Sequence, residues 1–283
     1  MIFYKYLPPE RIDILQNRRI RFTQPNALND PFEAKPHFHA FATKVGLASA
    51  FADMIRQAPT VVWEDFRRVT QTNLDRQAFA DKLEGNPDYA DWLYKNVGLP
   101  NPLLKERKRV ERWFNIVGIL SLSKTWDNLL MWAHYAKEHT GFVLMLDGSH
   151  KFFEGNESLL GFAKPEPVQY KLERPSTTIE EMTMSEIFFT KGSDWQYEEE
   201  WRYLKFLNNA DKRHEMPNTP PVELFRLPPK CISGVILGGR SSQELKDTIV
   251  ALRRDDPEFG HLQILQAGAS TTRYELRIKE IET

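Results

Sequence analysis

Cysteine is nearly absent from this chain: Cys231 is the one cysteine among 283 residues. A single thiol excludes an internal disulfide, and it also excludes the zinc clusters that are built from several cysteine thiolates. Such a composition is typical of proteins kept in a reducing compartment. We therefore expect a cytoplasmic location.

The chain also lacks an excess of charge of either sign, since 38 basic residues face 39 acidic ones and the formal net charge is −1. A nearly neutral chain has no overall basic field that would demand a nucleic acid as its partner. In the basic run 105–112, two acids are interleaved at the spacing of helical ion pairs. This pattern predicts a solvated helix face, with a phosphate-binding patch as the alternative.

Long apolar runs are missing as well. The run at residues 116–120 is far shorter than the roughly 20 residues that a membrane-spanning helix needs. The first residues, MIFYKYLPPERIDIL, lack the uninterrupted apolar segment that is typical of a secretory signal. We expect a soluble protein with neither a membrane span nor a signal of that kind.

Short segments of apolar and aromatic residues predict strands at residues 2–6, 20–22, 117–123, 142–146, 232–237, 262–265 and 274–278. One helix is predicted to begin at Pro8-Pro9 and another to be capped by Ser241. A third is predicted to have Asp127 as its N-cap, to run to His139 and to be terminated by Gly141.

Two longer stretches differ from this pattern of short elements. Residues 42–115 are mostly helical in pattern, whereas residues 208–221 are polar and proline-rich, which is typical of a loop. We therefore predict a single α+β domain over residues 1–283, with a mixed, mainly antiparallel central sheet, flanking helices and a helical insertion at 42–115.

The acidic segment from Trp195 to Tyr203 is rich in charge for a segment that is also rich in aromatic residues. If it forms a strand, Glu198, Glu200 and Arg202 share one face. Two carboxylates at this spacing repel each other, so one of them would hold its proton more tightly, while Arg202 offsets the repulsion. The pattern indicates either a salt-bridged surface or a reaction site.

A second group of candidates begins at the end of the predicted strand at 117–123 and continues into the helix that follows it. Ser121 and Ser123 would point the same way and could hold the ribose or an amide of a ligand. Trp132, Tyr135 and His139 would lie on neighbouring faces of the next helix, where aromatic residues either fill a core or stack on a ligand. His139 could also cap the end of that helix as a cation.

The first strand carries Tyr4, Lys5 and Tyr6, so aromatic rings alternate with a cation there. Whether these three side chains bind a ligand depends on the surface that this strand faces.

The segment Asn29-Asp30-Pro31-Phe32-Glu33 combines residue types that favour turns for local reasons. Its simplest interpretation is a capped turn whose Glu33 meets a nearby basic group. The alternative is a metal site in which Asp30 and Glu33 join His37 and His39.

Several of these motifs occur together in one bacterial family, which is catalogued as a domain of unknown function, number 2971. The chain resembles that family over roughly residues 1–240. The motifs that carry the resemblance are Tyr4-Lys5-Tyr6, Asn29-Asp30-Pro31-Phe32-Glu33, Ser121-x-Ser123, Met131-Trp132-x-His134-Tyr135, His139-x-Gly141 and Trp195-x-x-Glu198-x-Glu200-Trp201-Arg202.

The order of elements also resembles the ADP-ribosyltransferase plan, in which a late strand carries a catalytic glutamate within an E-x-E motif. The resemblance implies that Glu200 is the catalytic acid and Glu198 its partner, and that Ser121 or Ser123 occupies the middle position. In that superfamily a His or Arg on the first strand helps to hold NAD. This chain has Lys5 there instead.

The resemblance implies that NAD is the substrate and that no metal is needed. Glu200 would stabilise the ribose as it becomes cationic, Lys191 or Arg202 would hold pyrophosphate, and Trp132 or Tyr135 would stack on a ring. The acceptor could be a protein, a nucleic acid or water, as in a toxin or phage-defence effector. The alternatives are a metal-dependent hydrolase or nuclease, and a non-catalytic module that binds a nucleotide or a protein.

Overall fold

The computed structural model describes residues 1–34, 37–40, 43–97, 112–155, 162–178, 182–217 and 219–281. The chain divides into two compact units. The first unit comprises Met1–Ala34, Phe114–Glu173 and Phe188–Thr283. The second comprises Lys35–Trp113 and Arg174–Ile187.

The strands, in chain order, are β1 (Ile2–Leu7), β2 (Arg19–Phe22), β3 (His37–Ala40), β4 (Val117–Ser123), β5 (Phe142–Asp147), β6 (Glu166–Pro167), β7 (Gln169–Lys171), β8 (Ser176–Thr178), β9 (Thr190–Gly192), β10 (Glu200–Phe206), β11 (Lys212–Met216), β12 (Thr219–Arg226), β13 (Ile232–Leu237), β14 (Gln263–Ala269) and β15 (Leu276–Glu280). The α-helices are α1 (Asp13–Asn17), α2 (Lys44–Gln57), α3 (Thr60–Thr70), α4 (Arg76–Gly85), α5 (Pro87–Val97), α6 (Leu129–Tyr135), α7 (Met184–Phe188) and α8 (Gln243–Asp255). Residues 112–116 are also helical.

An eight-stranded sheet forms the centre of the first unit, in the order β15-β14-β13-β5-β1-β4-β10-β6. The pairings are antiparallel except for that of β13 with β14. Parallel strands need a crossover connection, and α8 provides it here. The prediction of a mixed, mainly antiparallel central sheet with flanking helices is confirmed.

The strand β1 lies in the middle of this sheet and pairs with β5 along its whole length. Within the described residues it meets its other neighbour, β4, only where Tyr4 pairs with Ser123. Farther back along β4, Ile119 pairs instead with Thr23, the residue after β2. The strands β1 and β4 therefore diverge, and we call the gap between them the fork.

Register across the fork decides which side chains share a side of the sheet. Ser123 pairs with Tyr4 on one side and with Glu200 on the other, and Ser121 pairs with Arg202. Directly paired residues point to the same face. These five side chains therefore belong to one face of the sheet, although they come from three strands.

Four helices, α2 to α5, dominate the second unit and bury one apolar cluster. The side chains of Thr43 and Asp75 cap α2 and α4 by accepting a backbone N–H three residues ahead. Residues 174–187 also belong to this unit, although the sequence pattern did not assign them to the predicted insertion at 42–115.

The helix predicted to begin after Asp127 and end at His139 differs at both ends. Its N-cap is Asn128, whose side-chain oxygen accepts the N–H groups of Leu130 and Met131 at 2.9 and 3.1 Å. The helix ends at Tyr135 because the three residues that follow Ala136 all have positive φ angles, up to 66° at His139. A left-handed residue terminates an α-helix.

Two further boundaries were predicted wrongly. The cap of α8 is Ser242 rather than Ser241, since the Ser242 hydroxyl accepts the N–H of Leu245 at 3.2 Å. The predicted loop at 208–221 contains β11 and the beginning of β12. Antiparallel pairing of β11 with β12 keeps the chain extended there, so strand pairing overrides the proline-rich composition. Among the described helices, none has the length and apolarity to cross a bilayer.

Candidate functional site

A cavity of about 240 Å³ opens in the fork. Its lining residues all belong to the first unit: Tyr4, Lys5, Tyr6, Arg21, Thr23, Ala27, Leu28, Asn29, Glu33, Ser121, Leu122, Ser123, Met131, Tyr135, Lys191, Glu198 and Glu200. Sites for drug-sized ligands usually measure roughly 300–1,000 Å³. This cavity therefore fits a small ligand or one end of a larger one.

The acidic segment is not a continuous strand, contrary to the prediction. Residues Ser193–Glu198 form a 3₁₀ helix, Glu199 adopts a left-handed conformation with φ 44°, and β10 begins at Glu200. The reversal at Glu199 leaves that side chain exposed and buries Glu198 and Glu200. The two carboxylates that were predicted to share a strand face thus reach the pocket from different elements.

Lys191 lies between three carboxylates at the floor of the pocket. Its Nζ is 2.5 Å from Glu198 Oε2, 3.2 Å from Glu200 Oε2 and 3.7 Å from Glu33 Oε1. The strand β9, which carries Lys191, is fixed by parallel pairing with β7. All four of these side chains are buried, so little water screens their charges.

Arg202 binds two of these carboxylates, those of Glu200 and Glu33, on the side away from the cavity. Its Nε and Nη2 bind the two oxygens of Glu200 at 2.9 and 3.0 Å, and Nη2 also binds Glu33. Its Nη1 donates to the carbonyl of Phe188 at 2.6 Å. The side chain of Arg202 is 0% exposed and does not line the cavity. This position speaks against the pyrophosphate-binding role predicted for Arg202 and makes it the support of Glu200.

We refer to Glu33, Lys191, Glu198, Glu200 and Arg202 as the ion-pair cluster. Burial raises the pKa of Glu200, although Lys191 and the Ser121 hydroxyl act in the opposite direction. Burial by itself lowers the pKa of Lys191, but Glu200 and Glu198 raise it overall. Lys191 is therefore charged at neutral pH, and Glu200 takes up a proton more readily than an exposed glutamate does.

Tyr135 and Asn29 extend the ion-pair cluster toward the mouth of the pocket. The Tyr135 hydroxyl donates to Glu198 Oε1 at 2.6 Å, and the Asn29 amide donates to the Tyr135 oxygen at 3.3 Å. Burial and the Glu198 carboxylate both raise the pKa of Tyr135, which therefore keeps its proton.

Asp30 plays a local part in its turn, where its side chain accepts the N–H of Phe32 at 2.9 Å. Glu33 reaches Arg202 and Lys191. The simplest interpretation of this segment, a capped turn whose Glu33 meets a basic group, agrees with these contacts.

The two candidate serines both line the pocket and have different partners. The Ser123 hydroxyl donates to the backbone carbonyl of Glu198 at 2.7 Å and accepts the N–H of Thr125 at 3.1 Å. Ser123 therefore fixes the backbone that carries Glu198. The backbone carbonyl of Ser121 accepts a hydrogen bond from Lys5 Nζ at 2.8 Å.

Lys5 bridges the fork through that contact, since it reaches from β1 to β4 where the two strands have separated. Burial lowers the pKa of Lys5 to about 8, and Glu200 partly offsets the effect. Tyr4 and Tyr6 line the pocket on either side, and the Tyr6 hydroxyl donates to the carbonyl of Thr125 at 3.0 Å. All three predicted residues of the first strand thus lie at the cavity.

Trp132 and His139 lie elsewhere, contrary to the prediction that they contact a ligand. Trp132 is fully buried, donates from Nε1 to the carbonyl of Trp126 at 2.7 Å and packs edge-on against Tyr6. The His139 ring stacks on Trp132 at a centroid distance of 5.7 Å. Neither ring lines the cavity, so both belong to the packing behind it.

The model of one protein family matches part of this chain. It describes a protein of unknown function, DUF2971, and the match covers residues 131–203. Neither a curated protein nor a solved structure matches the chain. The DUF2971 segment includes Tyr135 and four members of the ion-pair cluster, while Lys5 and the two serines lie outside it.

Arg21 is a lining residue that the sequence patterns missed. It lies on β2, a short strand that resembled an ordinary structural element, and no motif surrounds it. The alternation of Arg19 and Arg21 with apolar residues is the signal that could have pointed to it.

Within the described part of the chain, no group of three or more His, Cys, Asp or Glu side chains is arranged to hold a metal ion. The side chains of His37 and His39 lie outside the described residues. The metal site of Asp30, Glu33, His37 and His39 therefore stays a prediction.

Replacing Tyr135 with phenylalanine is expected to lower the free energy of unfolding by about 1.5–3 kcal/mol, because Glu198 loses a charge-assisted hydrogen bond. Denaturant titration of both proteins measures this difference. Tyr197→Phe is the matched control, since no hydrogen bond is formed by that hydroxyl within the described structure. Equal losses in the two variants would mean that the Tyr135–Glu198 bond contributes nothing.

Proposed function

We propose that the fork binds NAD and cleaves the bond between nicotinamide and ribose, as an ADP-ribosyltransferase-like enzyme or an NAD glycohydrolase. The observation that carries this proposal is the convergence of Lys5, Ser121, Ser123, Glu198 and Glu200 on one cavity. Lys5 lies on β1 and the two serines lie on β4, on opposite sides of the fork. The carboxylates of Glu198 and Glu200 lie at the floor of the cavity.

The proposed reaction breaks the C1′–N bond, and its electron pair leaves with nicotinamide. The ribose then carries an oxocarbenium-like positive charge, to which the acceptor adds with loss of a proton. When the acceptor is water, the products are ADP-ribose, nicotinamide and that proton. A carboxylate fixed beside the ribose stabilises this charge as it develops.

Glu200 suits this role because its carboxylate is held in place before any ligand binds. Arg202 grips both of its oxygens, and Lys191 is 3.2 Å from one of them. Groups that are already oriented lose no energy to reorganisation during the reaction. Glu198 supports the arrangement through Lys191 and Tyr135, and it does not act alone on the substrate.

The size and lining of the cavity support binding of one end of the dinucleotide. At about 240 Å³ it is smaller than the usual site for a whole drug-sized molecule. Tyr4, Tyr6 and Tyr135 offer aromatic surface, and Met131 offers a flexible apolar contact. The nicotinamide riboside part is the one that we assign to this space.

The test is to incubate the full chain with NAD and to follow nicotinamide by chromatography and the protein by mass spectrometry. Free nicotinamide is expected, together with either ADP-ribose or a heavier protein or nucleic acid acceptor. NADH is the matched control, because its uncharged dihydronicotinamide is a poor leaving group. If no nicotinamide is released, whether water, a protein or a nucleic acid is offered as the acceptor, the proposed reaction is rejected.

A non-catalytic nucleotide-binding module is the second candidate. It is favoured by the number of contacts that the carboxylates already make within the protein. In that case NAD would raise the melting temperature, because a ligand that binds only the native state stabilises it, and no nicotinamide would appear.

A further inference from the structure

Two cations of the pocket, Lys5 and Arg21, have no ion-pair partner in the part of the chain that the structure describes. Glu33, Glu198 and Glu200 are the carboxylates of the lining, and all three lie within 3.7 Å of Lys191. Neither Lys5 nor Arg21 forms an ion pair among the described residues. Lys5 donates one hydrogen bond, to the carbonyl of Ser121, so its ammonium group has two further donors to offer.

The direction of Arg21 follows from the alternation along β2. Ile20 and Phe22 are buried in the main apolar cluster of the first unit, and side chains alternate between the faces of a strand. Arg21 therefore points to the opposite side, where it lines the cavity. Its strand is held in place by pairing with β12.

The Nε of Arg21 is buried and meets no hydrogen-bond acceptor among the described residues. A buried donor without a partner is costly, and a bound ligand is one of the explanations for such a group. Arg19 has the same feature but does not line the cavity. The unsatisfied Nε indicates a ligand at Arg21 because Arg21, unlike Arg19, lines the pocket.

The lining therefore carries charges of both signs. The carboxylates of the ion-pair cluster are compensated by Lys191 and Arg202, whereas Lys5 and Arg21 form no ion pair among the described residues, although Glu200 attracts Lys5. Burial is the main cause that lowers the pKa of both Lys5 and Arg21, and Arg11 adds to it in both cases, although Glu200 raises the pKa of Lys5 by more than Arg11 lowers it. A ligand that carries both a cationic and an anionic group complements such a lining.

We propose that Arg21 and Lys5 form an anion site that holds a phosphate of the bound nucleotide. This assignment of the ligand rests on the proposed function, because the nicotinamide mononucleotide half of NAD has a cationic ring and a phosphate on opposite sides of one ribose. The carboxylates then face the ribose and ring, and the two free cations face the phosphate. The planar guanidinium of Arg21 donates several N–H groups to the phosphate, and the ammonium group of Lys5 acts as a point charge.

The test is calorimetric titration of the full chain with ADP-ribose, a ligand that lacks the nicotinamide bond and so cannot undergo the proposed cleavage. Arg21→Gln is expected to weaken ADP-ribose binding about tenfold or more, which is the typical effect of losing a charge-assisted contact. Inorganic pyrophosphate is expected to compete with ADP-ribose in the unaltered protein, whereas adenosine, which has no phosphate, is expected not to compete.

Arg19→Gln is the matched control, since it removes an arginine with the same buried Nε from the same strand without touching the cavity. It is expected to bind ADP-ribose as the unaltered protein does. Equal affinity of the Arg21→Gln protein, or failure of ADP-ribose or pyrophosphate to bind the unaltered protein, would overturn the anion site. The pyrophosphate competition needs no variant, so it still tests the anion site if the Arg21→Gln protein does not fold.

The outcomes separate this inference from the proposed reaction. Nicotinamide release that occurs together with Arg21-independent binding of ADP-ribose would refute the anion site alone. Binding of ADP-ribose that depends on Arg21, without nicotinamide release from NAD, would refute the reaction alone.

Discussion

Replacing Arg202 with methionine is expected to lower the free energy of unfolding by about 3–5 kcal/mol, which is the typical cost of removing one partner from a buried ion pair. The guanidinium is fully buried and binds Glu33, both oxygens of Glu200 and the carbonyl of Phe188. Its loss leaves Lys191 to compensate three buried carboxylates.

Equilibrium denaturation in urea, with the slope of the transition checked for constancy, measures this loss. Arg277→Met is the matched control, because Arg277 is 67% exposed and pairs with Glu275 at the surface. That change is expected to stay within about 0.5 kcal/mol of the unaltered protein. If Arg202→Met were as mild as Arg277→Met, the buried contacts of Arg202 would not be holding the fold together.

Arg202→Lys distinguishes charge from geometry at the same position. Lysine keeps the positive charge but cannot bind both oxygens of Glu200 while also reaching Glu33 and a carbonyl. A loss between those of Arg202→Met and the unaltered protein is therefore expected.

Strands were predictable where the apolar pattern is strong. Residues 117–123 and 232–237 have the predicted boundaries because these runs are buried in the sheet and turn-forming residues follow them. The prediction of a loop at 208–221 was wrong because β11 pairs there with β12 in an antiparallel hairpin, and β12 is itself paired with β2 just beyond, over residues 223–226. The polar, proline-rich composition does not show that these residues find strand partners.

The same distinction applies to the candidate site. Lys191, Glu198, Glu200 and Arg202 lie close together in the sequence, so their charges could be recognised as one group even though the predicted strand was wrong. Glu33 meets Arg202 across 169 positions, and that contact depends on how the chain folds back.

Arg21 and the aromatic residues show the limits of the residue patterns in opposite ways. Arg21 looked like part of an ordinary strand and lines the cavity, because β2 comes next to β4 at Thr23. Trp132 looked like a ligand contact and is buried in the core. A pattern of residue types predicts which side chains share a face of a strand. Whether that face meets a cavity or the core depends on how the strands pair.

Glu200→Gln is expected to reduce the rate of nicotinamide release from NAD by roughly 10²–10³-fold, the typical effect of removing one oriented electrostatic contact to a transition state. Glutamine is nearly isosteric but carries no negative charge, so the developing charge on the ribose loses its counter-charge. Binding of ADP-ribose, which involves Arg21 and Lys5 in our proposal, is expected to persist. Release and binding are measured on the same preparation, after its melting temperature has been recorded.

Glu199→Gln is the matched control, because Glu199 is the adjacent carboxylate, is exposed and does not line the cavity. It removes the same charge from the same segment and is expected to leave the rate unchanged. A folded Glu200→Gln protein that releases nicotinamide at the unaltered rate would exclude Glu200 from the reaction. Since Glu200 is also gripped by Arg202 and Lys191, a lower melting temperature alone would not distinguish a catalytic from a structural role; the separation of rate from binding does.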